Sequence, residues 1–147
     1  VRQHLRPGYV VLGVGNRMRG DDAVGPLVAE GLLERGFERA FDCGTAPENF
    51  VGPVSRLDPS DVLFVDAVDF ASSPGEVRLM GGESLAPRTA STHAPGLGPL
   101  ADLLSAEHRC ACWVLAVQPE TLRWGGDVSE AVARSIERIV ASPVWAT

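Results

Sequence analysis

The amino-acid sequence predicts an α/β protein: a three-layer α/β/α sandwich on a twisted, mostly parallel sheet of about five strands, one of them expected antiparallel, with helices on both faces. Three observations carry this expectation. Short apolar runs, Tyr9 to Val14, Asp61 to Val68 and Ala111 to Val117, read as strands buried on both faces. Between them lie stretches whose apolar residues recur at helical spacing. Strand and helix therefore alternate along the chain, which is the order that a parallel sheet with right-handed crossovers requires.

The first strand, Tyr9 to Val14, runs into a glycine-rich loop. From Asp22 to about Gly36, Val24, Leu27, Val28, Leu32 and Leu33 mark a helix, with Asp21 or Asp22 as its N-cap, Pro26 in the first turn and Gly36 at the exit. Phe37 to Cys43 reads as the second strand. Residues Thr45 to Asn49 form a loop feeding a short helix to about Leu57, with Phe50, Val51, Val54 and Leu57 at helical spacing. The strand Asp61 to Val68 carries an aspartate near its C-terminal end. Ser72-Ser73-Pro74-Gly75 is a turn, and Glu76 to Met80 is the strand expected antiparallel or at an edge. Gly81 to Pro95 reads as irregular and polar. Leu97 to Glu107 is expected helical, Ala111 to Val117 is the last buried strand, and Val128 to about Ala141 is a terminal helix with Val132, Ile136, Ile139 and Val140 inward. No repeat, low-complexity tract or linker divides this pattern, so residues 1–147 are expected to form one domain.

Composition narrows the function. With 147 residues, 45% hydrophobic and 22% charged, the chain suits one core that buries about two-thirds of its unfolded surface. Its net charge of −6, and 13 cationic residues that are all arginine and spread singly, argue against a nucleic-acid partner, which needs clustered cations to displace phosphate counterions. No apolar run approaches the ~20 residues of a membrane span and no leader pattern opens the chain, so a cytoplasmic protein without a membrane partner is expected. Three cysteines without C-x-x-C spacing indicate neither a disulfide framework nor a zinc knuckle, and fit a reducing compartment.

Ligands of open α/β sheets sit outside the carboxyl ends of the strands, so the residues just past each strand carry the chemistry. These are Gly15-Asn16 and Asp21-Asp22, Cys43-Gly44-Thr45, Asp66 and Asp69, Thr92-His93, and Gln118-Pro119-Glu120. A dinucleotide loop is disfavoured, because Met18 stands where the third glycine belongs and the following acids would repel a pyrophosphate. With no lysine in the chain, a P-loop is excluded. Helix capping explains one of Asp21 and Asp22 but not both, and Asp66 in an apolar strand end is either a hydrogen-bonded structural acid or part of a site. Two carboxylates and an imidazole on one sheet edge suffice to bind zinc, nickel or manganese with positions left open. His4 and His108 read as ordinary surface and helix-end residues. Nucleophilic catalysis is weaker: Ser91 and Thr92 flank His93 without a G-x-S-x-G elbow, Cys43 is at a strand end where small buried residues are common, and Cys110 and Cys112 read as packing residues.

The ordered set Gly13-Val14-Gly15-Asn16, Gly20-Asp21-Asp22-Ala23-Val24-Gly25, Asp42-Cys43-Gly44-Thr45-Ala46-Pro47-Glu48-Asn49, Val65-Asp66-Ala67-Val68-Asp69, Ser91-Thr92-His93 and Val117-Gln118-Pro119-Glu120 closely resembles the nickel-iron hydrogenase maturation endopeptidases. The resemblance implies a cytoplasmic endopeptidase that removes the C-terminal extension of a hydrogenase large-subunit precursor after nickel insertion. It implies a metal site of Asp22, Asp66 and His93, which would also be the catalytic residues, and a substrate loop of Gly44, Thr45 and Ala46. The implied metal is nickel carried by the substrate, with zinc or another divalent ion as an alternative, and the protein is expected to act as a monomer. The metal could polarise the scissile carbonyl, or one aspartate could activate water in the manner of an acid protease. A small-molecule metallohydrolase using the same residues, and a non-catalytic nickel-sensing chaperone for the precursor, are the other readings.

Overall fold

The computed structural model describes residues 5–81, 90–91 and 94–141. Its strands are β1 (Val10–Val14), β2 (Ala40–Gly44), β3 (Asp61–Asp69), β4 (Val77–Gly81), β5 (Ala90–Ser91) and β6 (Ala111–Val117). Its helices are α1 (Val24–Glu34), α2 (Val51–Arg56), α3 (Ala94–His108) and α4 (Glu130–Val140), with short 3-10 helices at Gly20–Ala23 and Pro47–Phe50 leading into α1 and α2. The sheet order is β2-β1-β3-β6-β4, with β5 attached to β3 off this path. β1 runs parallel to β2 and β3, and β3 parallel to β6, whereas β4 is the antiparallel edge strand on β6. The three-layer sandwich and the antiparallel edge strand β4 are those expected from the sequence, and the two-residue β5 adds a second antiparallel pairing, on β3.

Alternation of side chains along β1 and β3 divides the interior into two apolar layers. Val11, Leu63 and Val65 face α1 and α4 and pack with Val28, Leu32 and Val132. Val10, Leu12 and Phe64 face α2 and α3 and pack with Val54, Leu97 and Leu104. The chain thus leaves β1 along one face to reach β2 and returns along the other to β3. Adjacent strands whose connections depart in opposite directions leave a crevice at their carboxyl ends, here between β1 and β3.

Element ends differ from expectation where local hydrogen bonding takes residues away from the regular structure. Neither Asp21 nor Asp22 caps a helix: the capping positions are Arg19 and Ala23, without side-chain cap bonds, and both aspartates lie inside the 3-10 turn. At the other end of α1, Gly36 has φ +88°, and the bonds Gly36 N to Leu33 O and Phe37 N to Leu32 O, each 3.0 Å, form a Schellman closure. That closure consumes Phe37, so β2 begins at Ala40 instead of Phe37. Within the stretch expected to be irregular, Ala90–Ser91 pairs with Asp69 and Val68 of β3, and α3 starts at Ala94, ahead of Leu97.

Candidate active site

Three glycines seat the β1–α1 connection against the sheet. A Cβ on Gly13 would collide with the carbonyl oxygen of Gly25, one on Gly25 with the carbonyl oxygens of Val14 and Val65, and one on Gly15 with that of Asp22. The start of α1 therefore sits in the notch between β1 and β3, and the 3-10 turn Gly20–Ala23, fully buried, packs against β3. The glycine pattern that looks like a phosphate loop serves close backbone packing.

Four aspartates are buried among the described residues: Asp21, Asp22, Asp61 and Asp66. A buried carboxylate is costly unless its oxygens are bonded, so each calls for an account. Asp61, at the opposite end of β3, accepts from the backbone N–H and Nε of Arg6 at 3.0 Å each. Asp21 accepts from the amides of Glu120 (2.8 Å), Thr121 (3.2 Å) and Ser129 (2.7 Å) and from the Ser129 hydroxyl (2.8 Å). It is a structural clasp that holds the β6–α4 connection, while Ser129 in turn caps α4 by accepting from Val132 N. Truncating Asp21→Ala would strand those donors, each worth ~1–3 kcal/mol when buried without a partner. We expect Asp21→Ala to lose about 3 kcal/mol or more in urea unfolding; an unchanged midpoint would contradict the clasp.

The other two aspartates lie at the switch point. Asp22 Oδ2 accepts the Asn16 amide at 2.8 Å, while Asn16 Oδ1 accepts the Met18 amide at 2.8 Å, an Asx turn that fixes the loop. Asp66 is fully buried within β3, opposite Ala116 of β6 and one residue beyond Val65, which is in register with Gly13 of β1. The structure thus places Asp22 and Asp66 on packed, adjoining segments at the crevice. His93 lies outside the described residues; of those near it, Ser91 pairs with Val68, two positions past Asp66. Among the described residues, no group of three or more His, Cys, Asp or Glu side chains is arranged to hold a metal ion.

The predicted substrate loop adjoins this edge. Gly44 O accepts the Gly15 amide at 2.8 Å, Gly44 has φ +54°, and Ala46 N donates to Cys43 O at 3.1 Å. Thr45 is exposed. Arg17 ties the loop after β1 to β2 and α1, 2.8 Å from Asp42 and 3.2 Å from Glu30.

Two further sequence features resolve into structure. Gln118 is a joint: its Oε1 accepts the amides of Phe70 (2.8 Å) and Ser72 (3.2 Å), and its Nε2 donates to Asp69 at 3.1 Å. The Ala71 N–H and then Gln118 hold the exposed Asp69 carboxyl below its ordinary range. Cys43 is buried, and desolvation, reinforced by Asp42 and Glu48, pushes its thiol up to about 12. Burial likewise pushes Cys112 up to about 12 and raises Cys110. Since the thiolate is the nucleophile, none of the three is primed for attack. Iodoacetamide at pH 7.5 should leave the native protein at its unmodified mass; rapid stoichiometric alkylation of Cys43 would revive the thiol reading. Sequence reasoning missed Ser129 as the partner of Asp21; its position ahead of Glu130 signals a helix cap, but nothing local signals an acid so distant in the chain.

Comparison with known proteins agrees with this arrangement. The family model for hydrogenase maturation protease matches residues 27–144. The hydrogenase 3 maturation protease of Escherichia coli K12 is 32% identical over 133 residues, 88% of this chain and 85% of that protein. The crystal structure of the NiFe hydrogenase maturation protease HycI from Thermococcus kodakarensis KOD1 aligns with a TM-score of 0.81 and 31% identity, covering 90% of this chain and 86% of that one. The solution structure of the endopeptidase HycI from Escherichia coli gives 0.80 and 29% at the same coverage. With sequence and fold in agreement along nine-tenths of its length, the chain belongs to the hydrogenase maturation protease family.

Proposed function

We propose that the protein is an endopeptidase that removes the C-terminal extension of a nickel-iron hydrogenase large-subunit precursor after nickel has been inserted, with Asp22, Asp66 and His93 recognising the substrate's nickel. The observation that carries this reading is the pair of buried aspartates on adjoining segments at the β1/β3 switch point, in a chain of this family. Carboxylate oxygens and an imidazole are fitting donors for a borderline divalent ion, and three protein ligands leave room for donors from the precursor. Nickel then serves as a checkpoint: only a loaded precursor completes the site.

Within the site, one carboxylate takes the proton from the water that attacks the scissile carbonyl, and the substrate's metal polarises that carbonyl. Gly44, Thr45 and Ala46 offer backbone groups to the extended peptide. No helix among the described residues is long and apolar enough to cross a membrane. The reading places the protein in the cytoplasm as a monomer.

Incubating the purified protein with the precursor and determining the C-terminus of the large subunit tests the proposal. A shortened large subunit is expected. Binding without cleavage would favour a chaperone, and hydrolysis of small amides by a protein carrying stoichiometric zinc would favour a metallohydrolase.

A further inference from the structure

Met18 and Trp124 are 62% and 65% exposed, the most exposed large apolar side chains among the described residues, and neither joins an apolar cluster. Their backbone segments adjoin. Residues 121–125 run antiparallel to residues 18–21, with Asp21 N on Thr121 O (2.8 Å), Gly125 N on Met18 O (2.7 Å) and an isolated bridge between Arg19 and Trp124. The Asp21 clasp pins this strap from inside. The Arg19 guanidinium lies 5.6 Å from the centre of the Trp124 ring, and Arg123 is exposed. Segments 17–20 and 121–126 hold three arginines, and the exposed Glu120 and Asp127 flank the second segment. Arg17 is committed to Asp42 and Glu30, whereas Arg19 and Arg123 form no ion pair among the described residues.

A rigid ridge of Trp, Met and Arg has the composition that dominates protein interfaces. Being held by backbone bonds, it loses little freedom on association. It also begins immediately before the turn that carries Asp22, whose amide bonds Arg19 O at 2.9 Å. We infer that Met18, Arg19, Arg123 and Trp124 form the docking ridge for the folded body of the large-subunit precursor, received through a surface of apolar and acidic side chains. The inference rests on the proposed function, and it adds a contact outside the metal site that fixes affinity for the precursor. Arg123, exposed and without an ion pair among the described residues, calls for a carboxylate on the partner surface.

The test is steady-state processing of nickel-loaded precursor by wild type, Trp124→Ala and Arg123→Glu, with binding of the same precursor measured in an Asp66→Asn background that does not cleave. Each ridge substitution should raise KM and weaken binding about tenfold, the ordinary scale of an interface anchor. The kcat should stay within about twofold, and added salt should weaken the Arg123 contribution. Unchanged KM and binding in both variants would overturn the ridge, as would a lowered kcat at unchanged KM, or sedimentation showing that wild type self-associates through this face. If wild type binds precursor without cutting it, and the ridge substitutions still weaken that binding, the ridge stands and the proposed function fails.

Discussion

Asp66→Asn and Asp22→Asn, made singly, are expected to stop removal of the C-terminal extension, lowering the processing rate by about 10²–10⁴-fold, the range for loss of a positioned acid or base. Asparagine keeps the size of the side chain and one acceptor oxygen but removes the charge and the basicity on which the two proposed roles, recognising a cation and taking a proton, depend. The substitution at Asp66 also separates function from folding. Its carboxylate is fully buried in an otherwise apolar strand end, between Val65 and Ala67. Asparagine fits the same space and keeps an acceptor oxygen, so the variant should still fold and unfold cooperatively while processing disappears. Asp21, one residue from Asp22 and equally buried, behaves in the opposite way, because its oxygens hold the strap and its loss is a loss of stability. Normal processing by both asparagine variants, measured by intact mass of the large subunit, would remove the two aspartates from the site.

Gly25→Ala should be among the most destabilising single-methyl additions in the chain, at about 3 kcal/mol or more against a typical total of about 5–15 kcal/mol. The new carbon meets the carbonyl oxygens of Val14 and Val65 and the amide nitrogen of Val14. These are backbone atoms of two central strands, which cannot rotate aside as a side chain can. The start of α1 would have to lift out of the β1–β3 notch, carrying the Asp22 turn with it. Gly52→Ala is the control: it sits in α2 with only Arg56 Nη1 within reach, at 3.6 Å. There the change should be neutral or stabilising by up to about 1 kcal/mol through helix propensity. Urea midpoints measure both, and an unchanged midpoint for Gly25→Ala would contradict the close-packing account of the loop.

Much of this architecture was legible in the sequence because the central strands are buried on both faces. Val10 to Val14, Asp61 to Asp69 and Ala111 to Val117 leave a continuous apolar signal, and for the last the expected and observed limits coincide. The β2 start was misread because the Schellman closure at Gly36 and Phe37 has no periodic signature. The pairing of Ala90–Ser91 with β3 escaped because two residues carry no pattern. The two adjacent aspartates were legible as a pair with different tasks, but their partners were not. Asp22 bonds within its own loop, to Asn16, whereas Asp21 reaches Ser129 through the fold, and capping, the bond that local sequence suggests, is made by neither. The switch-point placement of Asp66 depends on the strand order β2-β1-β3, which strand patterns alone do not determine. The expectation for His93 lies outside the described residues.

The central claim is that nickel in the precursor completes a site begun by Asp22 and Asp66. Its most direct test is intact-mass measurement of the large subunit after incubation of wild-type protein with nickel-loaded and nickel-free precursor in parallel. The account predicts loss of the C-terminal extension from the loaded precursor and an unchanged mass for the nickel-free one. Equal cleavage of both would contradict it.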